Sequence, residues 1–135
     1  MTDARAAYLS YRLLRAREAL QEAAIMWEIG HFNTYINRLY YACFYAVSAL
    51  LLTEGLSAAR HAGVRNLFAQ HYVKTARIAP EYGELYFDLF QFRLKSDYTD
   101  QYQADPTVTE AWLALATSFI DEIDRMIQHQ EVSSS

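Results

Sequence analysis

Cysteine occurs once in this chain, at Cys43. No intramolecular disulfide or cysteine-rich zinc cluster can form, and a reducing, cytoplasmic setting is expected. Glycine and proline are nearly as scarce, four and two in 135 residues, against a usual ~12% for the two together. So few turn-formers leave room for little except long helices. The longest apolar stretch, residues 39–52, contains Ser48 and has 14 residues, short of the ~18 that suggest a membrane span. Met1-Thr2-Asp3-Ala4-Arg5 lacks the apolar run of a secretory leader. Positive charge is short as well: 12 Lys and Arg face 16 Asp and Glu, a net −4. That balance excludes a surface that tracks a phosphate backbone on every side, and leaves a local basic face open.

With 53% hydrophobic and 21% charged residues, the chain can bury a substantial core, and one domain over residues 1–130 is expected. The remaining 131–135 read as a disordered tail. The pattern predicts five helices. The first runs from Asp3 to Ile29, with Leu9, Leu13, Ala16, Leu20, Ala24 and Trp27 at three- and four-residue spacing. Gly30 ends it, and Asn33 or Thr34 caps a second helix that reaches Glu54 and stops at Gly55. This second helix is apolar nearly all round, which places it at the centre of the fold or in an oligomer interface. A third covers Ala59 to Val73, and a fourth starts at Pro80. Thr107 with Glu110 forms a capping box for the fifth. The expected fold is all-α: an antiparallel up-and-down four-helix bundle with an additional short helix.

Charge is divided along the chain, with a net +4 over residues 1–78 and −8 over 79–135. Ten of the 12 basic residues are arginine, the side chain suited to planar contacts with phosphate or carboxylate. A solvated helix face with the two halves pairing to each other is the simple account.

Several chemistries lack their parts. Glu28-Ile29-Gly30-His31 has the Glu-x-x-His spacing of di-metal bundles, yet no second element of that kind accompanies it, so no metal is expected. His61 and His71 stand ten positions apart on one helix, about 280° around its axis or about 80° by the shorter way, and do not converge on an ion. The four glycines are isolated, so there is no phosphate-binding loop and no cofactor is expected. Cys43, between Ala42 and Phe44, reads as a buried thiol rather than a nucleophile.

A polar cluster spread over helices two to four remains. Asn37 and Arg38 share adjoining faces with Tyr41. At the end of helix four comes Arg93-Leu94-Lys95-Ser96-Asp97-Tyr98. Arg93 and Asp97 stand four apart, with the arginine on the N-terminal side, the weaker order for a helical ion pair. Tyr40, Tyr41, Tyr45, Tyr72, Tyr82 and Tyr86 recur at helical spacing and read as core-edge residues whose hydroxyls reach water or a neighbouring helix. Tyr98 and Tyr102, in the polar connection, read as better ligand contacts.

Residues 37–46, the run His61-Ala62-Gly63-Val64 with Phe68 after it, and Arg93 followed by Ser96-Asp97-Tyr98, taken in this order, resemble the HEPN domain over roughly residues 5–128. The resemblance implies an up-and-down bundle, a homodimer, and a nucleotidyltransferase as partner. Many HEPN proteins are metal-independent ribonucleases that use an arginine and, four to six residues later, a histidine, paired across the dimer. Arg93 matches the arginine, but no histidine follows it; Tyr98 stands five residues on, and Leu94 replaces a usual polar residue. A tyrosine with a pKa near ~10 is a poor proton shuttle at neutral pH.

Three functions follow. One is a dimeric module that associates with a nucleotide or RNA, binds through Asn37, Arg38, Tyr41 and Asp97, and works with a nucleotidyltransferase in a two-component or toxin–antitoxin-like system. Another is a ribonuclease in which Arg93 stabilises the scissile phosphate and His61 or Tyr98 replaces the missing histidine. The third gives Arg93, Asp97 and Tyr98 a structural role only.

Overall fold

The computed structural model describes residues 3–98 and 103–134, with side chains over 4–96 and 103–130. Four long helices carry the fold: α1 (Asp3–Glu28), α2 (Phe32–Thr53), α4 (Pro80–Tyr98) and α6 (Trp112–Ser134). Between them lie α3 (His61–Phe68), which widens into a π-helical turn over Ala69–Val73, and the single-turn α5 (Pro106–Thr109). No strand occurs among the described residues. The bundle is the antiparallel up-and-down arrangement the sequence predicts, and α6 continues past residue 130 to Ser134.

The all-round apolarity of α2 is accounted for by its position. It packs against α1, α4, α6 and α3, and Ile36, Leu39, Tyr40, Cys43, Val47 and Leu50 are all at 0% exposure. Leu9, Ala16 and Leu20 of α1, Leu85 and Leu89 of α4, and Phe119 and Ile123 of α6 close round it. The two halves of the chain also pair electrostatically. Arg17 of α1 lies 2.6 Å from Asp121 and 3.4 Å from Asp124 of α6; within the first half, Arg77 bonds Glu54.

Gly30 and Gly55 end α1 and α2 with φ of +78° and +73°, the left-handed geometry that favours glycine. The predicted start of α2 is corrected: His31 holds the N-cap position without a side-chain cap, and Asn33 Oδ1 instead accepts from Ala104 N at 2.7 Å. The capping box at Thr107 is also corrected. Asp105 is the N-cap, its Oδ1 accepting from Thr107 N at 2.9 Å with Pro106 at the first helical position. Pro106 has no N–H to place there, so the cap one residue earlier satisfies the first donor that exists. The helix then breaks between α5 and α6.

Tyr35 secures that break. Its buried hydroxyl donates to Thr109 O at 2.8 Å and accepts from Leu113 N at 3.1 Å. Burial raises its pKa to about 12, so the phenol keeps the proton it donates. Tyr35→Phe takes this partner from the buried Thr109 carbonyl and the partly buried Leu113 N–H and should lower unfolding stability by about 1–3 kcal/mol in denaturant titration. The expectation that the tyrosines line the core edge fails for three of them: Tyr40, Tyr72 and Tyr86 have 0%, 0% and 1% exposure. A central α2 leaves no edge on that side.

Candidate functional site

The site grows from Tyr40, in the middle of α2. Its ring is fully buried, stacked against Tyr86 at 6.1 Å and tilted against Phe90 at 6.3 Å, both from α4. Its hydroxyl reaches out to His61 Nδ1 at 2.6 Å. One turn further along α4, the guanidinium carbon of Arg93 lies 5.4 Å from the centre of the same tyrosine ring. His61 and Arg93, 32 positions apart in the sequence, thus meet on one side chain.

His61 opens α3, where the chain re-enters the helical bundle after the α2–α3 loop. Gly63 allows that entry: a Cβ there would stand 2.8 Å from the Ala58 Cβ, so only glycine lets the loop lie against the first turn. The imidazole lies in a three-ring cluster with Phe44 and Tyr40, which are themselves 6.0 Å apart. It stacks on Phe44 with centroids 4.2 Å apart and planes at 4°, and on Tyr40 at 5.7 Å and 18°. Tyr41 meets it edge-on at 6.0 Å.

The electrostatics favour neutral forms. Burial pushes the Tyr40 phenol up to about 12, against a smaller downward pull from Arg93. It therefore keeps its proton and can donate it to Nδ1, which puts the proton of a neutral imidazole on Nε2. Burial, and then the positive Arg93, lower the His61 pKa below its ordinary 6.5. The folded state binds fewer protons than the unfolded chain between those two values, so stability rises with pH across that window. His61's contribution is complete above 6.5 and is lost as the pH falls through the folded-state pKa. The melting temperature should therefore fall more steeply as the pH drops below 6.5 in the native protein than in His61→Gln.

Asn37, Arg38 and Tyr41 come together as a neighbouring group. Asn37 Oδ1 accepts from Arg38 Nη2 at 2.8 Å, and the Arg38 guanidinium carbon lies 5.2 Å over the Tyr41 ring. Arg38 Nη1 also reaches Glu22 at 3.4 Å. Since Tyr41 touches both Tyr40 and His61, the two groups form one aromatic patch with Arg38 at one margin and Arg93 at the other. The side chains of Asp97 and Tyr98, and all of Tyr102, lie outside the described residues. Among the described residues no carboxylate pairs with Arg93, whose guanidinium carbon lies over the Tyr40 ring.

Tyr40 and Phe44 are the site residues that sequence reasoning missed. Their four-residue spacing puts them on one face of α2, Tyr40 fully buried and Phe44 partly so; only the tertiary approach of His61 and Arg93 gives them a role in a site. Cys43, by contrast, is as buried as expected, and burial pushes its thiol pKa far up. No group of three or more His, Cys, Asp or Glu that could hold a metal forms among the described residues. No described helix is long and apolar enough to cross a membrane.

Chemically, the patch offers a cation beside a neutral imidazole, the two held by aromatic faces. A family model for the HEPN domain matches residues 9–126, a span that includes every residue of the patch. A protein of Thermotoga maritima named "UPF0332 protein" is 36% identical over 120 residues, 89% of this chain and 91% of its own length. A Methanocaldococcus jannaschii protein named "Putative toxin MJ0605" is 34% identical over 115 residues, 84% of each chain. A second from that organism, "Putative toxin MJ0142", is 30% identical over 84 residues, 62% of this chain and 57% of its own length.

Proposed function

The chain belongs to the HEPN family, and from that premise we propose that it is a toxin-like module that binds RNA phosphate at the Arg93–Tyr40–His61 patch. The observation that carries this reading is the meeting of Arg93 and His61 on Tyr40. Arg93 supplies a permanent charge with planar donors for a phosphate oxygen. His61, held neutral by burial and by the positive Arg93, supplies a ring N–H that can donate to a phosphate oxygen. Arg38 and Asn37, at the margin of the same patch, add donors for a second phosphate or for a base.

The names of two relatives support the toxin-like part of the reading. In this account the protein works as a homodimer and is held in check by a nucleotidyltransferase partner. Co-purification of the native dimer with a co-expressed nucleotidyltransferase tests that part.

A second reading, metal-independent ribonuclease, is favoured by one feature: the neutral His61. With Tyr40 donating to Nδ1, the proton of the neutral ring sits on Nε2; the imidazole can accept a proton from a 2′-hydroxyl at Nε2 only in the other tautomer, in which Nδ1 carries the proton and the Tyr40 hydroxyl accepts from it. Arg93 would carry the charge that builds on the phosphate. Incubating labelled single-stranded RNA with the protein in chelator distinguishes the two. Binding without cleavage supports the module alone. Cleavage that Arg93→Ala abolishes makes it an enzyme, and absence of both binding and cleavage overturns the proposal.

A further inference from the structure

Two arginines of α1 that this patch does not use lie on a strip of rings that begins at it. Phe44, stacked on His61, is followed by Tyr45, whose ring is 6.1 Å from both Phe44 and Tyr41. From Tyr45 the strip crosses to α1. The guanidinium carbons of Arg12 and Arg15 each lie 5.6 Å from the Tyr45 ring centre. Arg12 also lies 5.2 Å over Tyr8, and its Nε donates to the Tyr8 hydroxyl at 2.8 Å. Tyr8 is 43% exposed, so the far end opens to solvent. A cavity of about 200 Å³ lies beside the strip, bounded by Tyr8, Arg12 and Phe44 on one side and by the α2–α3 loop at Leu56 and Ala58 on the other.

The carboxylates on this face are Glu18, 3.6 Å from Arg15, and Glu22, 3.4 Å from Arg38. Both are half-exposed surface pairs, which are weak and exchange readily for a better anion. Arg12 has no carboxylate partner among the described residues. The local charge is therefore positive in a protein whose total charge is negative.

A guanidinium laid on a ring keeps its in-plane N–H groups directed sideways, where phosphate oxygens can take them. Aromatic side chains set between such cations give unstacked bases surfaces to lie on. A duplex keeps its bases stacked inside and cannot use those rings; a single strand can. Positive charge alone would suit an acidic protein segment equally well. The alternation of cation and ring is what favours a strand of bases.

The geometry points to this strip as a track for single-stranded RNA, leading from Arg93 and His61 over Phe44 and Tyr45 to Arg12, Arg15 and Tyr8. The inference rests on the phosphate-binding reading of the Arg93 patch. It adds the substrate class: a single strand of several nucleotides, in preference to a mononucleotide or a duplex.

The test is fluorescence anisotropy with a labelled uridine dodecamer in chelator, over a range of salt. The Arg12→Gln/Arg15→Gln double variant should bind at least about tenfold more weakly than the native protein. Its slope of log affinity against log salt should be shallower by about 1.4, the loss of two phosphate contacts on a single strand. If the glutamine pair fails to fold, Arg12→Lys/Arg15→Lys serves, keeping the native salt slope but losing affinity at least about threefold because lysine does not stack as a plane. Affinity within twofold of native in the double variant, while Arg93→Gln still weakens binding, overturns the track and leaves the patch. An unchanged RNA affinity with an altered sedimentation coefficient overturns it too, and marks the strip as a protein interface. Absence of RNA binding by the native protein overturns the track and the patch together.

Discussion

Arg93→Ala should weaken binding of single-stranded RNA by about 10- to 100-fold, the range expected when a charge-assisted hydrogen bond to phosphate is lost. If the native protein cleaves the strand, turnover should drop by about 10²–10³, as when one donor to a developing oxyanion is removed. Stability should change much less. Breaking a buried charge pair costs about 3–5 kcal/mol because it leaves a stranded partner, and among the described residues Arg93 has no carboxylate to strand. Among the described residues, the contact it gives up is a cation–π one with Tyr40, about 0.5–2 kcal/mol. RNA titrations run beside denaturant curves check both halves. A large loss of stability with no loss of binding would return Arg93 to a structural role.

The second large effect is expected at Phe119, far from the patch. Phe119 of α6 has 0% exposure. Its ring stacks on Tyr82 of α4 at 5.2 Å and tilts against Phe68 of α3 at 5.7 Å. It is thus the common support of the two helices that deliver Arg93 and His61. Phe119→Ala should destabilise the fold by about 3–5 kcal/mol, the cost of emptying a large aromatic site that can collapse only in part. Against a typical domain stability of about 5–15 kcal/mol, that is a large share. Urea unfolding should show a lower midpoint with an unchanged slope. RNA affinity measured well below the midpoint should stay close to native, since the patch itself is untouched.

Most of the fold is legible from the sequence, for reasons that particular residues make plain. Gly30 and Gly55 mark real helix ends because their left-handed backbone disfavours other residues. The doubly apolar α2 can only be central. Boundaries set by finer competition are harder to read. Asp105 and Thr107 both carry good capping groups, and the missing N–H of Pro106 decides between them. The π-helical turn over Ala69–Val73 has no signature in the side chains at all.

The site is legible in part. Asn37, Arg38 and Tyr41 lie within five positions on one helix, so helical geometry alone brings them together. Arg93 and His61 depend on how α3 and α4 meet α2, a tertiary fact that no local spacing encodes. Tyr40 illustrates the difference most clearly. Its sequence context is that of a packing residue; its hydroxyl acquires a role only because Gly63 lets His61 approach.

The central claim is that Arg93 and His61 form one RNA-phosphate site around Tyr40. A double-mutant cycle on single-stranded RNA affinity, using Arg93→Gln, His61→Gln and the double variant, tests it most directly. The account predicts a coupling energy of at least about 1 kcal/mol between the two positions. Losses that add within about 0.3–0.5 kcal/mol, the behaviour of independent sites, would contradict it.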